Sequence, residues 1–106
     1  MKVIAGGRRS GKTTKLIKMC AKENGVIVCR SAKQCRRIAK RAEKMEVDIN
    51  YPITYYELIN QEFYGAGING FFIDNIKELL EELTAHKEIK AITINIEPEK
   101  LIKKDG

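Results

Sequence analysis

The chain has 106 residues, of which 43% are hydrophobic and 32% are charged, and its formal net charge is +6. This length supports one hydrophobic core and excludes two separate catalytic modules, so we expect a single domain over residues 1–106. No apolar run approaches the roughly 20 residues of a membrane-spanning helix, which excludes a membrane-embedded protein from the expected classes.

The first predicted elements are a short strand and a glycine-rich loop. Residues 2–5 form the strand, and residues 6–14, the glycine-rich loop, read Gly-Gly-Arg-Arg-Ser-Gly-Lys-Thr-Thr. The spacing G-x-x-x-x-G-K-T is the Walker A pattern, in which backbone N–H groups surround a phosphate. We therefore predict that this loop binds ATP. Its candidate binding residues are Gly6, Gly7, Arg8, Arg9, Ser10, Gly11, Lys12, Thr13 and Thr14.

The next predicted element is a helix over residues 12–23, which starts inside the loop. Its amino-terminal end carries a partial positive charge that favours a bound phosphate. Lys12 is predicted to reach the β- and γ-phosphates as a catalytic residue, and Thr13 to bind Mg²⁺ through its hydroxyl. Gly25 is the predicted left-handed residue that ends the helix. The alternative is a strand–helix turn that binds no ligand.

A fully apolar run follows this helix. Residues 26–29 read Val-Ile-Val-Cys, which is typical of a parallel strand that is buried on both faces. The chain has three cysteines, Cys20, Cys29 and Cys35, an odd number without the spacing of metal ligands. We predict that they are reduced packing residues of a cytoplasmic protein.

The second predicted helix, residues 32–45 with Ser31 as its cap, has one apolar and one basic face. Residues 1–44 contain 14 lysines and arginines against two acids, a net charge of +12, whereas the rest of the chain has a net charge of −6. Such a division predicts an anionic partner besides ATP, and we predict that the helix binds the phosphates of DNA or RNA. A solvated charged face is the alternative. The candidate residues are Lys33, Arg36, Arg37, Lys40, Arg41 and Lys44.

The middle of the chain has weaker patterns. Residues 53–54 form a predicted short strand, residues 55–61 a short helix and residues 65–70 a loop. Five of the seven aromatic residues lie between positions 51 and 64, where packing is the ordinary explanation and stacking on a base is the alternative. They are Tyr51, Tyr55, Tyr56, Phe63 and Tyr64.

An apolar strand that ends in an aspartate comes next. Residues 71–73 read Phe-Phe-Ile, and Asp74 follows them, as in the Walker B pattern. A carboxylate at such a strand tip fixes Mg²⁺, mainly through water and the Thr13 hydroxyl. We therefore predict Asp74 as a metal ligand and a catalytic residue. Capping of the following helix is its alternative role.

The last predicted elements are a helix over residues 75–86, a strand over residues 90–96 and a frayed tail over residues 98–106. The strand alternates isoleucine with polar residues and has Asn95 near its end. The helix residues that are predicted to face the core are Ile76, Leu79, Leu80 and Leu83.

Strands that alternate with helices predict an α/β fold, specifically a three-layer α/β/α sandwich with a mostly parallel sheet. We expect the strand over residues 90–96 to lie between the first strand and the strand that precedes Asp74. Ligands bind such sheets beyond the carboxyl ends of the strands. The residues at or near these ends are Gly6, Arg30, Asp74 and Asn95.

These motifs resemble those of the P-loop NTPase superfamily, and the resemblance covers essentially the whole chain as a minimal core. The glycine-rich loop is similar to the ATPase loop of phage terminase large subunits. The strand over residues 26–29 and the basic helix after it are similar to a segment of terminases and related helicases. The resemblance implies a Mg²⁺-dependent ATPase that acts with nucleic acid. It also implies a homo-oligomer or a partner protein, because a trans-acting arginine commonly completes such sites.

One position departs from that family pattern. Motor ATPases usually have glutamate after the Walker B aspartate, whereas this chain has Asn75. An amide orients water but cannot accept its proton, so Asn75 and Asn95 are predicted catalytic residues that position water. Two alternatives stay open. One is a non-catalytic nucleotide-binding switch or accessory subunit; the other is a nucleoside or nucleotide kinase, since the loop also resembles that of thymidine kinases.

Overall fold

The computed structural model describes residues 1–63 and 67–104, in which strands and helices alternate along the chain. All three strand pairings in these ranges are parallel, so the protein has the predicted α/β fold with parallel sheets. None of the described helices has the length and apolar character that a bilayer crossing requires. The elements are β1 (Val3–Gly6), α1 (Lys12–Glu23), β2 (Val26–Cys29), α2 (Ala32–Lys44), β3 (Ile53–Thr54), α3 (Tyr55–Ile59), β4 (Phe71–Ile73), α4 (Ile76–Leu83) and β5 (Leu101–Lys104), with a 3-10 turn at Pro98–Lys100.

The strands form two hydrogen-bonded sheets. β2 is the centre of the larger sheet, and Val28 lies opposite Ile53 of β3 on one side and Ile73 of β4 on the other. β1 pairs with β5 in the second sheet, where Gly6 lies opposite Lys104. Because the pairings are parallel, the carboxyl ends of β2, β3 and β4 lie at one edge of their sheet.

The core consists of two clusters on the two faces of β2. All four residues of β2 are buried, as predicted for this strand. Successive side chains point to opposite faces, so Ile27 and Cys29 belong to one cluster and Val28 to the other, together with Tyr55 and Leu79. The first cluster is completed by residues of α1 and α2, namely Leu16, Ile17, Cys20, Cys35, Ile38 and Ala42.

The turn after α1 and the start of α2 show how local sequence fixes the helix ends. Asn24, with φ of 50°, is the left-handed residue after α1, rather than the predicted Gly25. Gly25 is needed for a different reason, because a Cβ at this position would overlap the ring of Phe72 on β4. Ser31 caps α2 as predicted, and its side chain accepts a hydrogen bond from the Gln34 N–H at 3.2 Å.

Residues 90–96 do not form the predicted strand. They have neither helix nor strand, and Ile92 and Ile94 are 63% and 52% exposed. β1 pairs instead with β5, which lies in the tail that was expected to fray. Leu101 and Ile102 stabilise this pairing because both become half-buried opposite apolar residues of β1. Tyr64 and two residues of the predicted loop, 65 and 66, lie outside the described residues.

α4 is shorter and less buried than predicted. It ends at Leu83 because Ala85 and His86 have positive φ values, 52° and 62°, that a right-handed helix cannot contain. The predicted inward face is confirmed for Leu79, which is buried, and for the half-buried Leu80. It is wrong for Ile76 and Leu83, which are 49% and 59% exposed. β4 has only three residues and offers α4 a short surface to cover.

Candidate functional site

The glycine-rich loop connects the end of β1 to the start of α1. β1 ends at Gly6, whose Cα lies so close to Lys104 of β5 that a Cβ would overlap the Lys104 carbonyl oxygen. Gly11, which immediately precedes α1, has a positive φ of 85°. Arg9 also lies in the left-handed region, with φ of 58°. Both glycines of the Walker A spacing are therefore required by backbone geometry, one by close approach and one by its φ.

The ammonium group of Lys12 contacts the backbone of its own loop. Its Nζ donates hydrogen bonds to the carbonyl oxygens of Gly6, at 2.8 Å, and of Gly7. The Ser10 hydroxyl oxygen accepts a third hydrogen bond at 3.3 Å. These contacts use the three N–H donors of an ammonium group. The loop therefore holds the lysine charge beside the backbone of its first two residues.

Asp74 lies beside the first turn of α1. The Thr13 hydroxyl is 3.5 Å from Oδ1 of Asp74, although 61 residues separate the two along the chain. The backbone N–H of Asp74 donates to the Val28 carbonyl at 2.9 Å, which fixes Asp74 at the end of β4 and next to β2. The structure thus brings together the two residues that the sequence predicts as metal ligands.

The environment of the Asp74 carboxyl group favours a neighbouring positive charge. Burial raises the pKa of Asp74, and the negative charge of Glu78 raises it further. Hydrogen bonds from the side chains of Thr13 and Gln34, and the charge of Lys12, lower this pKa without cancelling the effect of burial. A partly buried carboxylate of this kind gains from a nearby cation.

The oxygen donors of Thr13 and Asp74 fit a hard cation such as Mg²⁺. Mg²⁺ commonly takes one or two carboxylates from a protein and completes its coordination with water and substrate phosphates. Within residues 1–63 and 67–104, no group of three or more histidine, cysteine or acidic side chains is arranged to hold a metal by itself.

Asn75 is the cap of α4. Its φ of 62° lies in the left-handed region, which asparagine tolerates better than most residues. Its side-chain oxygen lies 3.4 Å from the Glu78 N–H, and its amide nitrogen donates to the Glu78 carboxylate at 2.8 Å. Both polar atoms of the Asn75 side chain therefore contact α4. Asn75 has the capping role that was the alternative for Asp74.

Asn95 does not occupy the strand end that was predicted for it. Residues 90–96 form no strand, and Asn95 is exposed. The alternation of apolar and polar residues there is compatible with a half-buried strand, but β5 takes the pairing with β1. The structure therefore gives Asn95 no position at the carboxyl edge of a sheet.

The arginines near the loop are mostly solvated. Arg8 and Arg9 are exposed, as is Gly7, whereas Ser10 and Thr14 are half-buried. The guanidinium group of Arg30 lies 3.7 Å from the Glu78 carboxylate with 61% of its side chain exposed. An ion pair this exposed contributes little to stability, so Arg30 is available to other anions.

The polar side of α2 carries a continuous positive charge, which we call the basic face. All of its lysines and arginines are exposed, while the opposite side of the helix is buried in the core. The ion pairs of the described residues involve Arg30, His86 and Lys90, so none of them joins this face to an acid, and Glu43 is the one acid within α2. The basic face consists of Lys33, Arg36, Arg37, Lys40, Arg41 and Lys44.

Two of the cysteines contact each other between the end of β2 and the first turns of α2. The sulfur atoms of Cys29 and Cys35 are 3.1 Å apart, and both residues are buried and unbridged. Burial raises the pKa of both thiols, and for Cys29 the contact with Cys35 raises it further. Cys20 is also buried, with its thiol pKa raised for the same reason. All three cysteines therefore pack as neutral thiols.

Tyr55 is a site residue that the sequence did not identify. It is only 2% exposed, and its hydroxyl lies 2.5 Å from the Asp74 carbonyl oxygen and 3.0 Å from the Asn75 carbonyl oxygen. The predicted alternative for the aromatic cluster, stacking on a base, is wrong for this buried ring. The available sequence signal was its position directly after β3, whose carboxyl end lies at the same sheet edge as Asp74.

Comparisons with known proteins identified no relative of this chain. No protein-family model matches the chain, and searches of curated proteins and of solved structures found no significant match. A functional interpretation therefore depends on the residues of the loop, Asp74 and their surroundings.

Proposed function

We propose that this protein is an ATP-binding P-loop protein and a Mg²⁺-dependent ATPase that acts with nucleic acid. The supporting observation is the 3.5 Å approach of the Thr13 hydroxyl to Oδ1 of Asp74. This contact joins a glycine-rich loop, the helix after it and a carboxylate at the tip of a parallel strand. Binding of a nucleoside triphosphate with Mg²⁺ uses these three parts.

The loop and Lys12 bind the phosphates in this proposal. Gly6 and Gly11 permit the tight backbone turn, so that N–H groups before α1 can donate to phosphate oxygens where the helix dipole adds to the attraction. Lys12 now donates to neutral carbonyl oxygens of Gly6 and Gly7. A phosphate competes well for this ammonium group, because hydrogen bonds between charged partners are stronger than those to a neutral carbonyl.

Thr13 and Asp74 hold Mg²⁺ in this proposal. The bound ion neutralises charge on the β- and γ-phosphate oxygens. Thr13 offers a neutral hydroxyl oxygen and Asp74 a carboxylate whose pKa is raised by burial. That elevation supports the assignment, since the ionised form of a buried carboxylate gains most from a nearby cation.

A non-catalytic nucleotide-binding switch or accessory subunit is the second candidate, and the contacts of Asn75 favour it. The polar atoms of the Asn75 side chain contact Glu78, and an amide cannot accept a proton from water. Hydrolysis then requires another group to orient water. A residue from a second copy or a partner protein is a candidate for that group.

Nucleic acid is the proposed partner of the basic face. The face has six exposed cations along one helix, and binding of such a face to nucleic acid phosphates releases counterions. α2 begins at Ala32, three residues after the last residue of β2, so the basic face starts near the sheet edge that contains Asp74. This proximity supports a link between nucleic acid binding and the nucleotide site.

A three-layer arrangement around a P-loop core is part of the same proposal. The two core clusters support it, because α1 and α2 contribute to the cluster on one face of β2 while α3 and α4 contribute to the other. In this proposal the middle layer consists of the two parallel sheets, since residues 90–96 form no strand.

Phosphate release from ATP tests the proposed function. The protein is assayed with and without Mg²⁺, alone and with single-stranded DNA, double-stranded DNA or RNA. Lys12→Ala removes the phosphate-binding ammonium group, and Lys18→Ala, which changes an exposed lysine of the same helix, is the matched control. Mg²⁺-dependent release that nucleic acid stimulates and that only Lys12→Ala abolishes supports the ATPase. ATP binding without release supports the switch, and no ATP binding contradicts both.

A further inference from the structure

We propose that Tyr55 is a positioning residue for the Asp74 carboxylate and thereby controls how strongly Mg²⁺ contributes to nucleotide binding. The inference rests on the proposed function, because it takes Asp74 as the Mg²⁺ ligand. It adds a residue that neither the Walker A nor the Walker B pattern contains.

The fold directs the Tyr55 hydroxyl to the turn between β4 and α4. Tyr55 is the first residue of α3, and Thr54 before it pairs with Cys29 of β2. Its ring is buried against Val28 and Leu79, which belong to β2 and α4. The ring is therefore held by two neighbouring elements, and its hydroxyl reaches the carbonyl oxygens of two consecutive residues of the turn.

The Tyr55 hydroxyl has one proton, which it shares between these two carbonyl oxygens, and this contact restrains the backbone from which the carboxylate extends. The Asp74 N–H donates to Val28 at 2.9 Å, and its carbonyl oxygen accepts from the Tyr55 hydroxyl at 2.5 Å. The next residue, Asn75, has a φ of 62°, so the chain reverses sharply immediately after the carboxylate. With both sides of the Asp74 backbone restrained, its side chain is directed toward Thr13, 3.5 Å away.

The Tyr55 hydroxyl remains a donor over the whole neutral pH range. Burial raises its pKa, and the negative charges of Glu78 and Asp74 raise it further. A protonated hydroxyl is the form that donates to a carbonyl oxygen.

A purely structural role and a positioning role predict different results. If the hydrogen bonds of Tyr55 contribute only to folding, removal of the hydroxyl lowers the stability of the protein. Any change in ATP affinity is then the same with and without Mg²⁺. A positioning residue affects the Mg²⁺-dependent part of binding alone. The useful quantity is the Mg²⁺ effect, defined as the ATP dissociation constant in EDTA divided by that in Mg²⁺.

The experiment compares Tyr55→Phe with Tyr56→Phe by calorimetric titration of ATP in Mg²⁺ and in EDTA. The Tyr55→Phe variant keeps the buried ring and lacks only the hydroxyl, whereas Tyr56 is 67% exposed and serves as the neighbouring control. We expect Tyr55→Phe to reduce the Mg²⁺ effect about tenfold, the usual consequence of losing a partner that orients a metal ligand. We expect unchanged ATP affinity in EDTA and no change for Tyr56→Phe.

An unchanged Mg²⁺ effect in folded Tyr55→Phe protein overturns the inference, as does an equal loss of affinity in EDTA. If thermal unfolding shows that Tyr55→Phe is not folded, its titrations are repeated in a stabilising osmolyte such as sucrose, beside the wild type in the same buffer, with the same expected loss. A wild-type protein that binds ATP without any Mg²⁺ effect overturns this inference together with the proposed Mg²⁺ site, but leaves the proposed ATP binding by the loop intact. A wild-type protein that does not bind ATP contradicts the proposed function itself.

Discussion

The Thr13 hydroxyl and the Asp74 carboxylate lie 3.5 Å apart although 61 residues separate them along the chain. Thr13 reaches this position on α1, which packs against β2 through the first core cluster. Asp74 reaches it at the end of β4, which pairs with β2. β2 is therefore the common support of both residues, and their contact depends on the buried strand at the centre of the larger sheet.

The raised pKa of Asp74 predicts that Asp74→Asn stabilises the ligand-free protein at neutral pH. The folded protein binds the proton of the Asp74 carboxyl group more tightly than the unfolded chain does. The ionised carboxylate therefore lowers the free energy of unfolding at pH values above the raised pKa. This cost disappears as the pH falls through that pKa. Thermal unfolding should give a higher Tm for Asp74→Asn at pH 7, with a difference that shrinks on acidification.

The same substitution should weaken ATP binding in Mg²⁺. We expect a loss greater than the roughly tenfold that follows removal of an outer partner of a metal site, with affinity in EDTA unchanged. A Tm below that of the wild type at pH 7, or undiminished affinity in Mg²⁺, contradicts this role of Asp74.

The cap at Asn75 predicts a specific order of stabilities. Asn75→Ala removes a side-chain cap worth about 1 kcal/mol and puts a Cβ-bearing residue without a local hydrogen bond at positive φ, at a cost of about 1–2 kcal/mol. Asn75→Gly should cost only a few tenths of a kcal/mol, because glycine tolerates both the cap position and the backbone conformation. Urea denaturation measures the difference. Equal stabilities of the two variants would falsify the capping role.

The basic face predicts a salt-dependent affinity for nucleic acid. The double variant Arg37→Ala and Lys40→Ala should bind DNA more weakly, and the slope of log affinity against log salt should fall by about 0.9 for each DNA phosphate that the variant no longer binds. Lys77→Ala with Lys87→Ala removes the same charge from exposed positions elsewhere and is the control. ATP affinity should not change in either variant. Equal DNA binding by both variants would show that the face is only solvated.

The buried thiols predict slow reaction with thiol reagents in the folded protein. Burial raises the pKa of Cys20, Cys29 and Cys35, so each remains a neutral thiol where an exposed one begins to ionise. Because the unfolded chain loses these protons first, stability should fall as the pH rises above the ordinary thiol pKa of 9.0. Absorbance titration with an aromatic disulfide should show slow labelling that urea accelerates. Immediate labelling of all three contradicts their burial.

The first half of the fold follows closely from local sequence. The apolar run of β2, the Ser31 cap and the amphipathic pattern of α2 each specify their own element, because propensity and burial favour the same structure there. The glycine-rich loop was likewise predictable, since backbone geometry requires Gly6 and Gly11 at their positions. The meeting of Thr13 and Asp74 was predictable because the Walker A and Walker B patterns assign both residues to one Mg²⁺ ion.

The second half was less predictable because it depends on competition between segments. Residues 90–96 have the better strand pattern, yet Leu101–Lys104 pairs with β1. Local periodicity cannot decide which of these two segments pairs with β1. Asn75 shows a related limit, since a sequence cannot tell whether an amide contacts its own helix or the neighbouring loop. Tyr55 was missed because its role depends on a contact with backbone carbonyl groups, which carry no residue-specific signal.

Equilibrium binding of ATP to the wild type, Lys12→Ala and Lys18→Ala, in Mg²⁺ and in EDTA, decides whether the glycine-rich loop is a phosphate site. We predict that the wild type and Lys18→Ala bind ATP, that Mg²⁺ strengthens their binding, and that Lys12→Ala does not bind. No binding by the wild type, or equal binding by Lys12→Ala and Lys18→Ala, would contradict a phosphate site in this loop.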